Sequence, residues 1–256
     1  GNVDLKILLE YLKVLKKMSN ISQIFISEGD YGLSKDLQEN CNKVKDLYHD
    51  YSYKLFDDEL IKSFLSKYYE SYVLNTYKAL VPFSYKSDFA RFCILYQLGG
   101  WYFDIGLKLN KRFDVDESTN LVFFRDINFY SQTSWACAGG IIYSKAGNKI
   151  LSKAIELIVD NVKNNYYGIT PLCPTGPTLW GKAIATAGID QNVIIGDFIE
   201  LTPNHNKKNK AMILPDGTIF AFNKNAPGGD LKSLGCEGTN NYNELWNSQN
   251  IYRDLN

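Results

Sequence analysis

Arginine is scarce in this chain. Of 256 residues, 28 are basic, yet only Arg91, Arg112, Arg125 and Arg253 are arginines. Each guanidinium can therefore be weighed singly as a bidentate anion binder. Net charge is absent as well, since 28 acids balance the 28 bases. A nucleic-acid protein would show a basic excess or patch, so that class is excluded, as is an acidic disordered tail. Histidine is limited to His49 and His205, too few and too far apart for a histidine-built metal site. The cysteines Cys41, Cys93, Cys137, Cys173 and Cys236 are odd in number and never form a CxxC pair. This excludes a disulfide framework and a zinc-ribbon pattern, and a reducing cytosol is the simplest setting. Cys173 has no histidine placed beside it to act as base, so it is not read as a nucleophile. No apolar run reaches the ~18 residues that span a bilayer. The N-terminus also lacks the basic, apolar, small-residue order of a secretory signal.

What is present is a globular composition, 45% hydrophobic and 22% charged, with length enough for one large core. Residues 3–18 read as an amphipathic helix, with Leu5, Leu8, Leu12 and Leu15 at three- and four-residue steps. Lys6, Lys13, Lys16 and Lys17 occupy its other face. Such a helix either packs on its own domain or rests on an anionic membrane surface. Ile21 to Ile26 reads as a strand, 34–45 as a helix and Tyr51 to Phe56 as a strand. Asp57-Asp58-Glu59 opens a further helix that reaches about Tyr69. Strands are expected at 120–124, 136–143 (with Gly139-Gly140 inside), 193–195, 212–214 and 218–222. Helices are expected at 148–163 and after Thr175-Gly176-Pro177. A polar loop covers 203–210, and 223–243 reads as a long loop able to act as a lid. The alternation predicts an α/β fold: one domain over 1–256, with a mainly parallel central sheet flanked by helices. The chain shows no internal repeat.

The chemistry concentrates between Lys86 and Leu109. Ser87 is a natural N-cap and Gly99 a natural C′ residue, with Phe89, Phe92, Leu95 and Leu98 as a core stripe between them. Asp88 and Arg91, three apart, share one helix face. After Gly99-Gly100, a short strand from Trp101 to Phe103 delivers Asp104 to its end. The three groups can converge at the carboxyl end of a sheet, where α/β proteins bind ligands. Two carboxylates and a guanidinium suit a ligand bearing both hydroxyls and a diphosphate. The plainer alternative is a structural Asp88–Arg91 pair beside a solvent-facing aspartate.

Ser87-Asp88, Arg91, Gly99-Gly100, Tyr102 and Asp104 together resemble the signature of the DXD-type glycosyltransferases of family thirty-two. That family includes bacterial capsule and lipopolysaccharide sugar transferases and is related to the clostridial glucosylating toxins. Weaker likeness extends over about residues 21–200. The resemblance implies a GT-A, Rossmann-like domain that transfers a hexose or N-acetylhexosamine with retention. The donor would be a nucleotide sugar, UDP-linked ahead of GDP-linked, and the acceptor an oligosaccharide or lipid-linked saccharide. It assigns catalysis to Asp88, Arg91 and Asp104, and donor binding to Ile26, Ser27, Ser87 and Tyr102. A looser likeness of Tyr242–Ser248 to the toxins' mobile end adds Trp246, Asn247 and Ser248 to the donor side. Thr175, Gly176 and Pro177 fall on the acceptor side. Mn²⁺ or Mg²⁺ is implied as cofactor, with Asp104 as ligand.

The chain departs from the pattern at Gly106, where the family carries its second metal-binding aspartate. Three outcomes follow: a metal held by Asp104, the diphosphate and another group; charge offset by Arg91 or a lysine; or binding without turnover. The literal Asp114-Val115-Asp116 lacks a preceding strand and reads as a solvated turn. The expected setting is cytoplasmic, with peripheral contact at the inner face of a bacterial inner membrane.

Overall fold

The computed structural model describes residues 4–10, 19–201, 210–223 and 229–255. Among these, nine strands form one sheet: β1 Asn20–Ile24, β2 Ser52–Phe56, β3 Gly100–Phe103, β4 Lys108–Leu109, β5 Leu121–Arg125, β6 Cys137–Ser144, β7 Val193–Glu200, β8 Lys210–Ile213 and β9 Ile219–Phe222. Their spatial order is β2-β1-β3-β6-β5-β7-β8-β9-β4.

The sheet is mixed, which corrects the expectation of a mainly parallel one. Only β1–β2, β1–β3 and β5–β7 run parallel. The pairs β3–β6, β5–β6, β7–β8, β8–β9 and β4–β9 are antiparallel. Connection length explains the difference. Parallel neighbours need a crossover of about a dozen residues or more, usually a helix. The short segments from β5 to β6 and from β8 to β9 hold no such crossover, so the chain folds straight back.

Helices cap where the residue chemistry directs. Ser34 Oγ accepts Leu37 N–H at 3.3 Å before the helix Lys35–Leu47. Asp57 Oδ1 accepts Leu60 N–H at 2.8 Å before Asp58–Tyr68. Asn148 Oδ1 accepts Ile150 N–H at 2.9 Å before Lys149–Lys163. Pro177 begins the helix Pro177–Ala187, its missing N–H falling where no intrahelical partner exists. The helix Ser71–Ala79 has no counterpart in the sequence reading.

The helix Phe83–Leu98 lies at the centre. It packs on β1, β3, β6 and the helix Lys149–Lys163. Phe89, Phe92 and Leu95 are buried as expected, but so are Ala90, Cys93 and Ile94, so the helix is buried on more than one face. The opposite sheet face holds an aromatic core in which Trp101 stacks on Phe103 at 5.3 Å and Phe220 contacts both.

Residues 4–10 are helical and leave Leu5, Ile7, Leu8 and Leu9 exposed; residues 11–18 of the expected helix lie outside the described residues. Of the expected loop at 203–210, only Lys210 is described, and it opens β8 instead. Among the described residues, no helix is long and apolar enough to cross a membrane.

Candidate active site

The central helix begins at Phe83 with Pro82 as its N-cap, five residues earlier than an N-cap at Ser87 implies. Ser87 is therefore inside the helix, and Asp88 and Arg91 sit beyond its first turn. Burial overrides the local capping preference. Tyr85 is buried, and Lys86 Nζ donates to the Tyr77 carbonyl at 3.0 Å while lying 4.5 Å over the Tyr77 ring. These contacts need residues 83–86 wound into the helix. The helix start takes its acceptor from far along the chain, where Asn240 Oδ1 receives Phe83 N–H at 2.7 Å.

At the other end the helix stops as expected. Gly99 has φ +64°, and its N–H returns to the Leu95 carbonyl. Gly100 has φ +93°, and a Cβ there would overlap the Asn20 backbone of β1. The glycine pair thus lets β3 run directly beside β1, which carries Asp104 back along the helix.

Arg91 is the hub. One terminal nitrogen of its guanidinium is 2.9 Å from Asp88 Oδ1 and 3.3 Å from Asp104 Oδ1. The other donates to the Gly139 carbonyl, and Nε donates to the Ser87 carbonyl at 3.3 Å. The guanidinium carbon is 4.6 Å from the centre of the Tyr102 ring, a cation–π contact. Tyr102 OH donates to Asp104 Oδ1 at 2.8 Å. Thr175 Oγ1 donates to Asp88 Oδ2 at 2.9 Å, which ties the Thr-Gly-Pro segment to the same cluster. Burial pushes the Asp88 carboxyl up to about 7, against the pull of Arg91 and the Thr175 hydroxyl. Burial likewise holds the Tyr102 hydroxyl well above its ordinary range.

Gly139 and Gly140 of β6 make room for this arrangement. A Cβ on Gly139 would stand 2.9 Å from an Arg91 terminal nitrogen, and one on Gly140 would stand 3.0 Å from Asp104 Oδ2. Strand glycines often mark such close approach. Gly139 does not have the positive φ that would bar alanine, so Gly139→Ala is expected to fold and to displace only the guanidinium. Steady-state turnover should fall about ten- to hundredfold, the scale of a small misplacement of a reacting contact. Melting within a few degrees of wild type would confirm that the loss is local.

The cluster forms one wall of a cavity of about 490 Å³, within the range of ligand pockets. Ile26, Ser87, Asp88, Arg91, Tyr102, Asp104, Gly106, Thr175, Gly176 and Pro177 all line it. Ser27 does not; its hydroxyl turns to the Gly29 and Tyr31 carbonyls. Trp246, Asn247 and Ser248 do not line it either. Trp246 Nε1 donates to the Tyr167 carbonyl at 2.9 Å and the ring packs on the core, while Ser248 Oγ donates to the Leu245 carbonyl. The same C-terminal segment instead presents Asn240, Tyr242 and Asn243 to the cavity. The turn of the helix Tyr242–Asn247 decides which side chains look inward, and local likeness does not report it. Asp126, Tyr130 and Lys210 also line the cavity and were missed, since no short motif joins them.

The donor set does not assemble a resident divalent site. Position 106 is glycine, and Asp104 Oδ1 already meets Tyr102 and Arg91. Among the described residues, no group of three or more His, Cys, Asp or Glu could hold a metal ion. Divalent cations want several oxygen ligands, and of the two signature carboxylates Asp88 is already held by Arg91 and Thr175 and Asp104 by Arg91 and Tyr102. The literal Asp-x-Asp lies elsewhere: Asp114 pairs with Arg112 at 2.8 Å, and Asp116 Oδ1 caps Ser118 N–H.

Residues 34–122 match the family described as a glycosyltransferase sugar-binding region containing a DXD motif. The matched stretch carries Asp88, Arg91, Tyr102 and Asp104. No curated protein matches the chain. Among solved structures, the catalytic domain of alpha-toxin from Clostridium novyi is 11% identical, covers 68% of this chain and 64% of its own, and has a TM-score of 0.38. PaToxG glycosyltransferase is 18% identical over 66% of this chain and 69% of its own, with a TM-score of 0.51. The chain is thus similar to a glycosyltransferase sugar-binding region over residues 34–122, and its overall fold resembles that of PaToxG glycosyltransferase.

Proposed function

We propose that this protein is a retaining glycosyltransferase that takes a hexose or N-acetylhexosamine from a nucleotide sugar, UDP-linked in preference to GDP-linked. The observation that carries this reading is the convergence of Asp88, Arg91, Tyr102 and Asp104 on one cavity beside Thr175. Arg91 would hold the diphosphate. As the bond from the sugar C1 to the phosphate oxygen breaks, negative charge grows on the leaving group. A fixed guanidinium stabilises that charge without reorganising. The acceptor hydroxyl forms the new C1–O bond on the face the diphosphate leaves. Its proton passes to the departing phosphate oxygen. Asp88, steadied by Thr175, would bind sugar hydroxyls, and Asp104 would hold Tyr102 and Arg91 in place.

The acceptor is proposed to be an oligosaccharide or lipid-linked saccharide of capsule or lipopolysaccharide synthesis, reached from the cytoplasmic side. The exposed leucines of residues 4–10 would suit peripheral contact with an anionic membrane. A protein acceptor is the second reading, motivated by fold likeness to PaToxG glycosyltransferase.

The test is a panel of nucleotide sugars screened for thermal stabilisation and for release of UDP or GDP. Stabilisation with release supports an enzyme. Stabilisation without release across Mn²⁺ and Mg²⁺ titrations would leave a binding module and defeat the transferase. Because the described residues supply no metal cage, turnover is expected to persist in EDTA within about tenfold, with Arg91 supplying the main charge offset. Gly106→Asp is expected to introduce metal dependence. Complete loss of wild-type turnover in EDTA, restored by Mn²⁺, would show that a metal carried on the diphosphate is essential.

A further inference from the structure

The ends of β5 and β8 supply a second polar wall that neither the signature nor the Thr-Gly-Pro segment contains. Asp126 follows directly on β5, with its N–H bonded to the Ala136 carbonyl at 2.9 Å. Lys210 opens β8 and is nearly fully buried. Its Nζ donates to Tyr130 OH at 2.8 Å, lies 4.3 Å over that ring, and is 3.7 Å from Glu200 Oε1. Glu200 and Lys210 stand opposite each other in the β7–β8 pair. Asp126, Tyr130 and Lys210 all face the cavity.

We infer that Asp126 is a saccharide-binding residue, its carboxylate accepting hydrogen bonds from pyranose hydroxyls held in this cavity. The inference rests on the glycosyltransferase reading and deepens it. Three observations support it. First, among the described residues, the lysine that lines this wall is already paired with Glu200 and Tyr130. A carboxylate there repels anions and favours neutral donors, which sugar hydroxyls are. Second, Asp126 lines the same cavity as Asp88 and Tyr242. Third, burial pushes the Asp126 carboxyl up to about 6. A carboxyl set into a cavity wall at such cost is characteristic of a ligand site.

The hydroxyls could belong to the donor sugar or to the acceptor, and the experiment separates the two. Asp126→Ala and Asp126→Asn are compared with wild type in thermal shift with UDP, GDP, UDP-glucose, UDP-N-acetylglucosamine and GDP-mannose. Donor hydrolysis and transfer to methyl glycosides are measured alongside. The shift caused by a free nucleoside diphosphate should be unchanged in both variants, which also shows that they fold. If the donor sugar is the ligand, Asp126→Ala loses the extra stabilisation from the sugar. Its KM in hydrolysis then rises about tenfold or more, the size expected for losing a hydrogen bond to a charged group. Unchanged hydrolysis with transfer reduced about tenfold or more assigns the hydroxyls to the acceptor. Asp126→Asn, which keeps one acceptor oxygen, should lose less in either case. The inference is overturned if Asp126→Ala hydrolyses and transfers as wild type does. If wild type responds to no nucleotide or nucleotide sugar, the glycosyltransferase reading falls first and this inference falls with it.

Discussion

Arg91→Lys is expected to lower turnover by about 10²–10³-fold, the usual cost of removing a preorganised charge stabiliser. Lysine keeps the charge but cannot reproduce the fork. The native guanidinium reaches Asp88, Asp104, the Gly139 carbonyl and the Ser87 carbonyl at once, with its carbon 4.6 Å from the centre of the Tyr102 ring. An ammonium on a shorter reach lacks the planar fork that spans all of these acceptors together. Arg91→Met should do more damage to the fold. It leaves the Asp88 carboxyl buried without its counter-charge, and stability should fall by about 3–5 kcal/mol. Adding Asp88→Asn to Arg91→Met should recover part of that loss, because the uncompensated charge is then gone. Chemical denaturation of the three variants measures the stability pattern, and donor turnover measures the rest. Turnover by Arg91→Lys within threefold of wild type would remove Arg91 from its proposed role.

Gly100→Ala is expected to cost about 3 kcal/mol or more, from backbone strain and steric overlap together. Position 100 has φ +93°, which an alanine adopts only under strain, and its Cβ would enter the Asn20 backbone. Asn20 cannot yield easily. It pairs with Ser52 of β2, and its own amide donates to the Leu98 carbonyl at 3.0 Å. Gly147→Ala is the control. Its φ of +75° imposes similar strain, but nothing lies within 4 Å of the new Cβ. That variant should lose only about 1 kcal/mol. In a chain of this size the difference corresponds to a melting temperature lower by roughly 5 °C or more for Gly100→Ala. Equal melting of the two variants would show that the close passage of β3 beside β1 is not rigid.

The features legible beforehand were those carried by neighbours in the chain. Asp88 and Arg91 meet because helical residues three apart share a face, and they do so although the helix starts at Phe83 instead of at Ser87. Gly99 ends the helix because it tolerates a positive φ, which needs no tertiary partner to forecast. Where the forecast failed, a distant group had the deciding contact. Ser87 lost its capping role because Tyr77 holds Lys86 inside the helix and Asn240 supplies the acceptor for Phe83. Lys210 looked like part of a charged loop because its partners Tyr130 and Glu200 come from other elements. Strand direction was misjudged because it depends on the length and route of each connection, which periodicity does not report.

The candidate site divides along the same line. Spacing alone was enough to pair Arg91 with Asp88 and to set Asp104 at a strand end after a glycine turn; the family resemblance then singled Arg91 out of the four arginines. The same resemblance made the glycine at position 106 a departure, where the family carries a carboxylate. Folding decided the rest. The bond between Thr175 and Asp88 closes a separation of 87 residues. The glycines that admit Arg91 and Asp104 lie on β6, and the second carboxylate wall comes from the end of β5. Spacing along a helix or through a turn is set by covalent geometry and survives in any context. Convergence of separate elements on one cavity is set by which surfaces pack together, and that is a property of the whole chain.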